Sequence, residues 1–201
     1  MAETLPLSCR CGTLQGHAAH VSRGTTKRMV CYCDDCQCFA HHLGAAETAL
    51  DAGGGTELLL MAPGQLALEG ELRCLRLSPK GPLRWYAACC RAPVANGLPS
   101  PGMPFASVVR TFVSSPDATL DATLGDARGL NGKFATGPTR EGTSEGTPAA
   151  LLLGVGTQLA KAKLRGWHRP SPFFEGKTPT SPPELISREE RARLRAMVSG
   201  G

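Results

Sequence analysis

Nine cysteines in 201 residues, eight of them in three tight groups, constrain this chain more than any other feature. The groups are Cys9 and Cys11; Cys31, Cys33, Cys36 and Cys38; and Cys89 and Cys90, while Cys74 stands alone. The count is odd, and the N-terminus lacks the basic start and apolar stretch of a secretory signal. A disulfide framework is therefore not expected; the chain reads as a soluble protein kept in the cytoplasm with its thiols reduced. Thiolates at C-x-C and C-x-x-C spacing are what a tetrahedral, soft-leaning ion such as Zn²⁺ selects. Short loops bring two sulfurs to about 2.3 Å from one metal at little entropic cost.

The number of ligands then separates two kinds of site. A closed structural zinc takes four protein ligands, whereas a catalytic zinc keeps three and leaves one position for water or substrate. Cys31-Tyr32-Cys33-Asp34-Asp35-Cys36 supplies three thiolates from six residues. Cys38 is a candidate fourth, but wrapping four sulfurs of one short loop around one ion is awkward. The loop reads as an open three-sulfur site, with a closed structural site or a metal-free reactive loop as the alternatives.

Composition bounds the rest. At 41% hydrophobic and 19% charged, the chain can build a core and does not have the make-up of a disordered segment. Its 24 glycines and 16 prolines favour turns and short strands over long helices. No apolar run reaches the length of a membrane span, so no membrane is expected as a partner. The net charge of +5 lies wholly in the last 51 residues, where 9 basic side chains face 4 acidic ones. No aromatics are interleaved with these cations in the manner of a single-strand binding platform, and nucleic acid is not expected as a partner. A solvated helix face is the plainer reading.

Strands are expected over 56–61, 65–68, 72–77 and 83–87, separated by Pro-Gly, Glu-Gly and Pro-Lys-Gly-Pro turns at the spacing of an antiparallel meander. A further strand is expected over 105–113, and a helical turn over 39–43. Residues 114–147, rich in Gly, Thr, Ser and Asp, read as an extended loop with one short strand at most. A helix is expected over 148–165, with Leu151, Leu152, Val155 and Leu159 on one face and Lys161, Lys163 and Arg165 in its last turn. Ser187-Arg188-Glu189-Glu190 is a capping box that opens a second helix to about residue 198. The aromatic segment 167–174 between them reads as packing on the core.

Three stretches together resemble a known family. They are Ser8-Cys9-Arg10-Cys11-Gly12, then Cys31-Tyr32-Cys33-Asp34-Asp35-Cys36-Gln37, then Arg84-Trp85-Tyr86-Ala87-Ala88-Cys89-Cys90-Arg91-Ala92-Pro93. In order they are similar to the S-C-x-C-G, C-x-C-x-x-C and C-x-x-C-G-T-P signature of the glutathione-dependent formaldehyde-activating enzyme / centromere protein V family, and more narrowly to a bacterial subgroup of it. The resemblance covers about residues 7–113. It implies a mainly β fold of coiled antiparallel sheets around a zinc core, here followed by C-terminal α-helices. It also implies two Zn²⁺ per chain, a structural one joining the first and third motifs and a second on the middle one. In members acting on small molecules, the second zinc serves carbon–sulfur chemistry on a thiol adduct such as S-hydroxymethylglutathione.

The third motif departs from the pattern, because the position of its first cysteine is occupied by Ala87. The structural set is then Cys9, Cys11 and Cys90, with Cys89 as fourth ligand and Cys74 as the outside candidate. Neighbouring side chains on an extended strand point to opposite faces, so Cys89 and Cys90 reach one ion only if the backbone kinks. In the middle motif the expected reactive set is Cys31, Cys33 and Cys36, with Asp35 as general base or water-orienting group. The plainer reading takes both Asp34 and Asp35 as loop acids that accept backbone hydrogen bonds, His41 and His42 as surface or core residues, Tyr32 as packing, and Gly53-Gly54-Gly55 as a flexible turn.

The expected domains are a zinc-binding β domain over 1–113, an extended loop over 114–147 and a helical segment over 148–201 packing on the same domain. The expected activity is that of a zinc-dependent protein of carbon–sulfur lyase type, acting on a small thiol or thiol adduct. Its rival is a zinc-stapled, non-catalytic binding module that meets a partner through its basic C-terminal helices.

Overall fold

The computed structural model of the chain describes residues 2–199. Strand β1 (Glu3–Ser8) turns through the first cysteine pair into β2 (Gln15–Val21), and β3 (Lys27–Cys31) ends at the first cysteine of the middle motif. Helix α1 (Asp34–His42) starts within that motif, five residues earlier than the helical turn expected from sequence. Asp34 and Asp35 in its first turn complement the positive N-terminal end of the helix dipole. The short α2 (Ala46–Ala49) leads into β4 (Thr56–Met61), β5 (Leu66–Glu69), β6 (Leu72–Arg76), β7 (Leu83–Ala87), β8 (Pro93–Gly97) and β9 (Ala106–Val109).

The expected single meander is corrected by the pairing. Of the strands from β4 to β9, only β6 to β9 run as consecutive antiparallel neighbours. Between β4 and β5 the chain leaves the large sheet, and β5 pairs with β2 instead. Gln65 redirects it: its Oε1 accepts the Ala62 N–H at 2.9 Å while its Nε2 donates to the Ala19 carbonyl at 3.1 Å. A Pro-Gly turn signal alone carries no record of that tertiary tether. The strand expected over 105–113 also stops at Val109, where a 3-10 turn over Arg110–Phe112 takes over.

The segment 114–147 holds more structure than expected. It forms α3 (Asp117–Leu124) and β10 (Arg128–Leu130), which pairs parallel to β3. Beyond it lie α4 (Ala149–Leu164), a hairpin of β11 (Phe174–Glu175) and β12 (Thr178–Pro179), then β13 (Glu184–Leu185) and α5 (Arg188–Ser199). The Ser187 Oγ accepts the Glu190 N–H at 3.0 Å, so the capping serine does its part. The Glu190 carboxylate turns instead to Arg193 and His42.

The architecture is mainly β, with three layers. A three-stranded sheet, β1-β2-β5, packs on one face of an eight-stranded sheet in the order β10-β3-β4-β9-β8-β7-β6-β13. Leu59 and Met61 of β4 point into the core between the sheets, with Leu5, Leu7, Trp85 and Phe112. Their neighbours Leu58 and Leu60 face the helical layer, as the strand period requires. Phe173 closes the inter-sheet core, its ring 5.2 Å from that of Trp85.

On the other face, α1 and α5 cover Leu75, Leu77 and Tyr86, and α4 covers Met29, Leu58 and Leu60. Helix α4 buries Gln158 and Ala162 and packs Leu151 and Val155, while Leu152 is 59% exposed. Its inner face is therefore rotated from the expected one. Gln158 decides this, because its Nε2 donates to the Thr25 and Leu60 carbonyls and pulls a polar residue inward. Gly53-Gly54-Gly55 is a buried turn rather than a flexible one. The Asp51 carboxylate accepts the Gly53 and Gly55 N–H groups, and a Cβ on Gly53 would stand 2.5 Å from the Pro138 carbonyl oxygen. No helix among the described residues is long and apolar enough to cross a membrane.

Candidate metal centres

The β1–β2 turn carries Cys9 and Cys11. Gly12, at φ +79°, supplies the left-handed residue that folds the turn back, and its N–H donates to the Cys9 carbonyl. The Leu14 N–H donates to the Cys9 sulfur at 3.3 Å. Cys89 and Cys90 lie in the turn after β7, where Arg91 adopts φ +57° and returns its N–H to the Ala87 carbonyl. This is the kink that two adjacent cysteines need to face one point.

All four sulfurs lie within 4.8 Å of one another. Cys9 Sγ stands 3.5 Å from Cys11 Sγ and 3.6 Å from Cys89 Sγ, and Cys11 Sγ 3.3 Å from Cys89 Sγ. Ligands about 2.3 Å from a tetrahedral zinc stand about 3.8 Å apart, so the donor set fits such an ion with small adjustments. Cys11 and Cys89 are exposed, which places the group at the surface where the small sheet's hairpin meets the β7–β8 turn of the large one. An ion held here ties the two sheets together.

The second group joins the end of β3 to the start of α1. Cys31 is the last residue of β3, Cys33 is the N-cap of α1, and Cys36 lies in its first turn with its N–H on the Cys33 carbonyl. These three sulfurs also lie within 4.8 Å of one another, and among the described residues no fourth cysteine, histidine or carboxylate joins them. Cys38 is two residues beyond Cys36 on the helix, about 200° around its axis. It packs among Phe39, Leu43, Leu75 and Tyr86 on the opposite side. Cys74 is buried in the inter-sheet core and belongs to neither group.

The thiols titrate as clusters do. Hydrogen bonds from the Thr13 hydroxyl and N–H bring Cys11 down to about 6. Burial opposes ionisation of Cys9 most strongly, but the hydrogen bonds from the Leu14 N–H, Cys89 and the Cys11 backbone together outweigh it and hold its pKa below the ordinary thiol value. Desolvation and the shared protons of Cys11 and Cys9 push Cys89 up to about 12. In the three-sulfur group the hydrogen bond with Cys33 takes Cys31 to about 11, and that with Cys31 takes Cys36 to about 12. Cys33 is lowered by its bond with Cys31, but Cys36 and burial outweigh it and carry it to about 12. Neighbouring thiolates repel; a divalent cation removes that penalty and displaces the protons.

Polar groups that no cysteine motif announced surround the three-sulfur group. Asn131, in a left-handed conformation after β10, directs its Nδ2 at the Cys31 sulfur at 3.4 Å. Arg84 of β7 is buried, bonds Asn96 Oδ1 at 2.9 Å, and lines with Cys36 a void of about 10 Å³. Asp35 does not join the sulfurs: its carboxylate lies 3.8 Å from Arg84 and is hydrogen-bonded to Arg195 of α5, which also holds Asp34. Both oxygens expected to serve as a base thus face guanidinium groups. His42 pairs with Glu190 at 3.1 Å. Tyr32 is fully buried, donating to Asp51 at 3.0 Å. The run around Arg84 was visible in the third motif; Asn131 lies in a Gly-rich stretch with no signal of its own.

A search of curated proteins gives no match to the chain. Over residues 1–184 it matches the profile of a family of unknown function, DUF6151, which spans both cysteine groups and most of the fold; the chain belongs to that family.

Proposed function

We propose that this is a two-zinc protein, distantly akin to the formaldehyde-activating enzymes, in which the four-cysteine centre is structural and the three-cysteine centre acts on a small thiol or thiol adduct. The observation that carries this reading is the missing fourth donor at Cys31, Cys33 and Cys36, against four donors at Cys9, Cys11, Cys89 and Cys90. A zinc ion on three thiolates supplies a Lewis-acid position open to a sulfur or hydroxyl from outside the chain. Cys33 is half-buried while Cys31 and Cys36 are buried, so approach is from the Cys33 side. Asn131 orients the Cys31 sulfur, and the Arg84 guanidinium offsets the excess negative charge of three thiolates. Asp34 and Asp35 hold the first turn of α1, and with it Cys36, against Arg195. The reaction class is addition of a thiol to an aldehyde and its reverse: a carbon–sulfur bond forms and the thiol proton passes to the carbonyl oxygen.

The narrow void beside Cys36 favours the second reading, a metal-stapled binding module, because little room exists there for a substrate. Calorimetry with glutathione, and with its S-methyl derivative as the non-thiol control, separates the two. The enzyme reading expects zinc-dependent binding of the free thiol alone, lost in Cys33→Ser. No thiol binding by protein that holds both metals would leave the module.

A further inference from the structure

A cavity of about 420 Å³ lies not at the sulfurs but between α4 and the β3–β10 edge of the large sheet. We propose that it is a binding site for a small organic anion, one that carries a carboxylate or phosphate on an apolar body. No cysteine lines it, so the proposal does not rest on the zinc reading.

The charge is the first argument. Arg23, Lys27, Arg28 and Arg128 line the cavity, against the single carboxylate of Asp126. Arg28 is already neutralised by Glu57 and Asp121. Arg23, Lys27 and Arg128 have no carboxylate partner within 4 Å among the described residues. Strand alternation places Lys27 on the same face as Met29, and the register pairs Arg128 with Met29. The cations therefore converge on one mouth rather than scatter.

Two further features point to an anion. Helix α4 presents Ala150 and Leu151 of its first turn to the cavity, with no acidic residue in that turn and no side-chain cap. The Leu151 N–H donates to the Pro148 carbonyl, but the N–H groups ahead of it in that turn and the helix dipole favour negative charge. Thr26 lines the wall at 2% exposure, and its hydroxyl has no partner among the described residues. Deeper in, Met29, Leu130 and Leu151 form an apolar floor suited to a hydrocarbon body rather than to a bare inorganic ion.

Gly154 offers a direct test. It lines the cavity, and a Cβ built on it meets nothing within 4 Å, so a larger side chain fills the space without disturbing the fold. Leu is also the better helix former, so Gly154→Leu should melt no lower than wild type. Calorimetric titration of the full chain with phenyl phosphate and with phenylacetate tests both head groups. At least one should bind, more weakly at 500 mM than at 50 mM salt, and the tighter probe identifies the head group. Arg128→Gln should weaken that probe about tenfold, as expected for one lost charge-assisted hydrogen bond. Gly154→Leu should abolish binding. Failure of both probes to bind, or unchanged affinity in both variants, would overturn the proposal.

Discussion

The two cysteine groups use the same donor atom and differ in what carries it. Cys9, Cys11, Cys89 and Cys90 come from two turns on different sheets, separated by some eighty residues of chain, and two of the four are exposed. Cys31, Cys33 and Cys36 come from one strand–helix junction, buried or half-buried, with an amide and a guanidinium close by. An ion in the first set crosslinks the fold, whereas an ion in the second decorates a junction that hydrogen bonds already fix. Gln37 shows that fixing: its Nε2 donates to the Tyr32 and Phe134 carbonyls whatever the sulfurs hold.

Breaking the crosslink should have the largest effect. Cys90→Ser should give insoluble or chelator-sensitive protein, since structural zinc contributes on the order of 10 kcal/mol of apparent binding energy to folding. Solubility and a melt with and without chelator check this; a cooperative melt equal to wild type would remove the structural role. Cys33→Ser should lose about one metal per chain yet stay folded, melting only a few degrees lower, as elemental analysis and calorimetry would read.

Cys38→Ser sharpens the contrast within α1. It should leave the metal count unchanged and cost about 2 kcal/mol by burying a hydroxyl among Phe39, Leu43 and Tyr86. Metal loss in this variant would instead make Cys38 a ligand. The smallest effect belongs to Arg195→Ala. Its ion pairs with Asp34 and Asp35 are partly exposed and screened, so about 1 kcal/mol is expected, a drop of 2–4 °C with both metals retained.

The C-x-C pair and the middle triplet were legible in the sequence because metal spacing is a local property, whereas the joining of Cys9 and Cys11 to Cys89 and Cys90 across eighty residues was implied only by the family resemblance. Even the kink at Cys89 and Cys90 followed from strand geometry once both had to face one ion. Helix α4 was legible in extent from its flanking Pro148 and Gly166, but not in rotation, because Gln158 is drawn inward by backbone carbonyls far away in sequence. The exchange of β5 into the small sheet was hidden for the same reason, resting on Gln65 reaching Ala19. Asn131 approaches the three sulfurs because β10 pairs beside β3, whereas Arg84, separated from β3 by three strands, meets Cys36 because α1 lies over β7, with Phe39 against the Arg84 guanidinium. The cation-lined cavity is likewise a product of pairing, since Arg128 and Lys27 are a hundred residues apart and meet only where β10 joins β3.

Zinc-edge X-ray absorption with elemental analysis, on protein purified without added metal, tests the contrast most directly. Two zinc ions per chain with seven sulfurs between them, an average of about 3.5, are predicted, rising to about 4 when a small thiol is added. An average of four sulfurs that added thiol does not change, or a single ion per chain, would contradict the account.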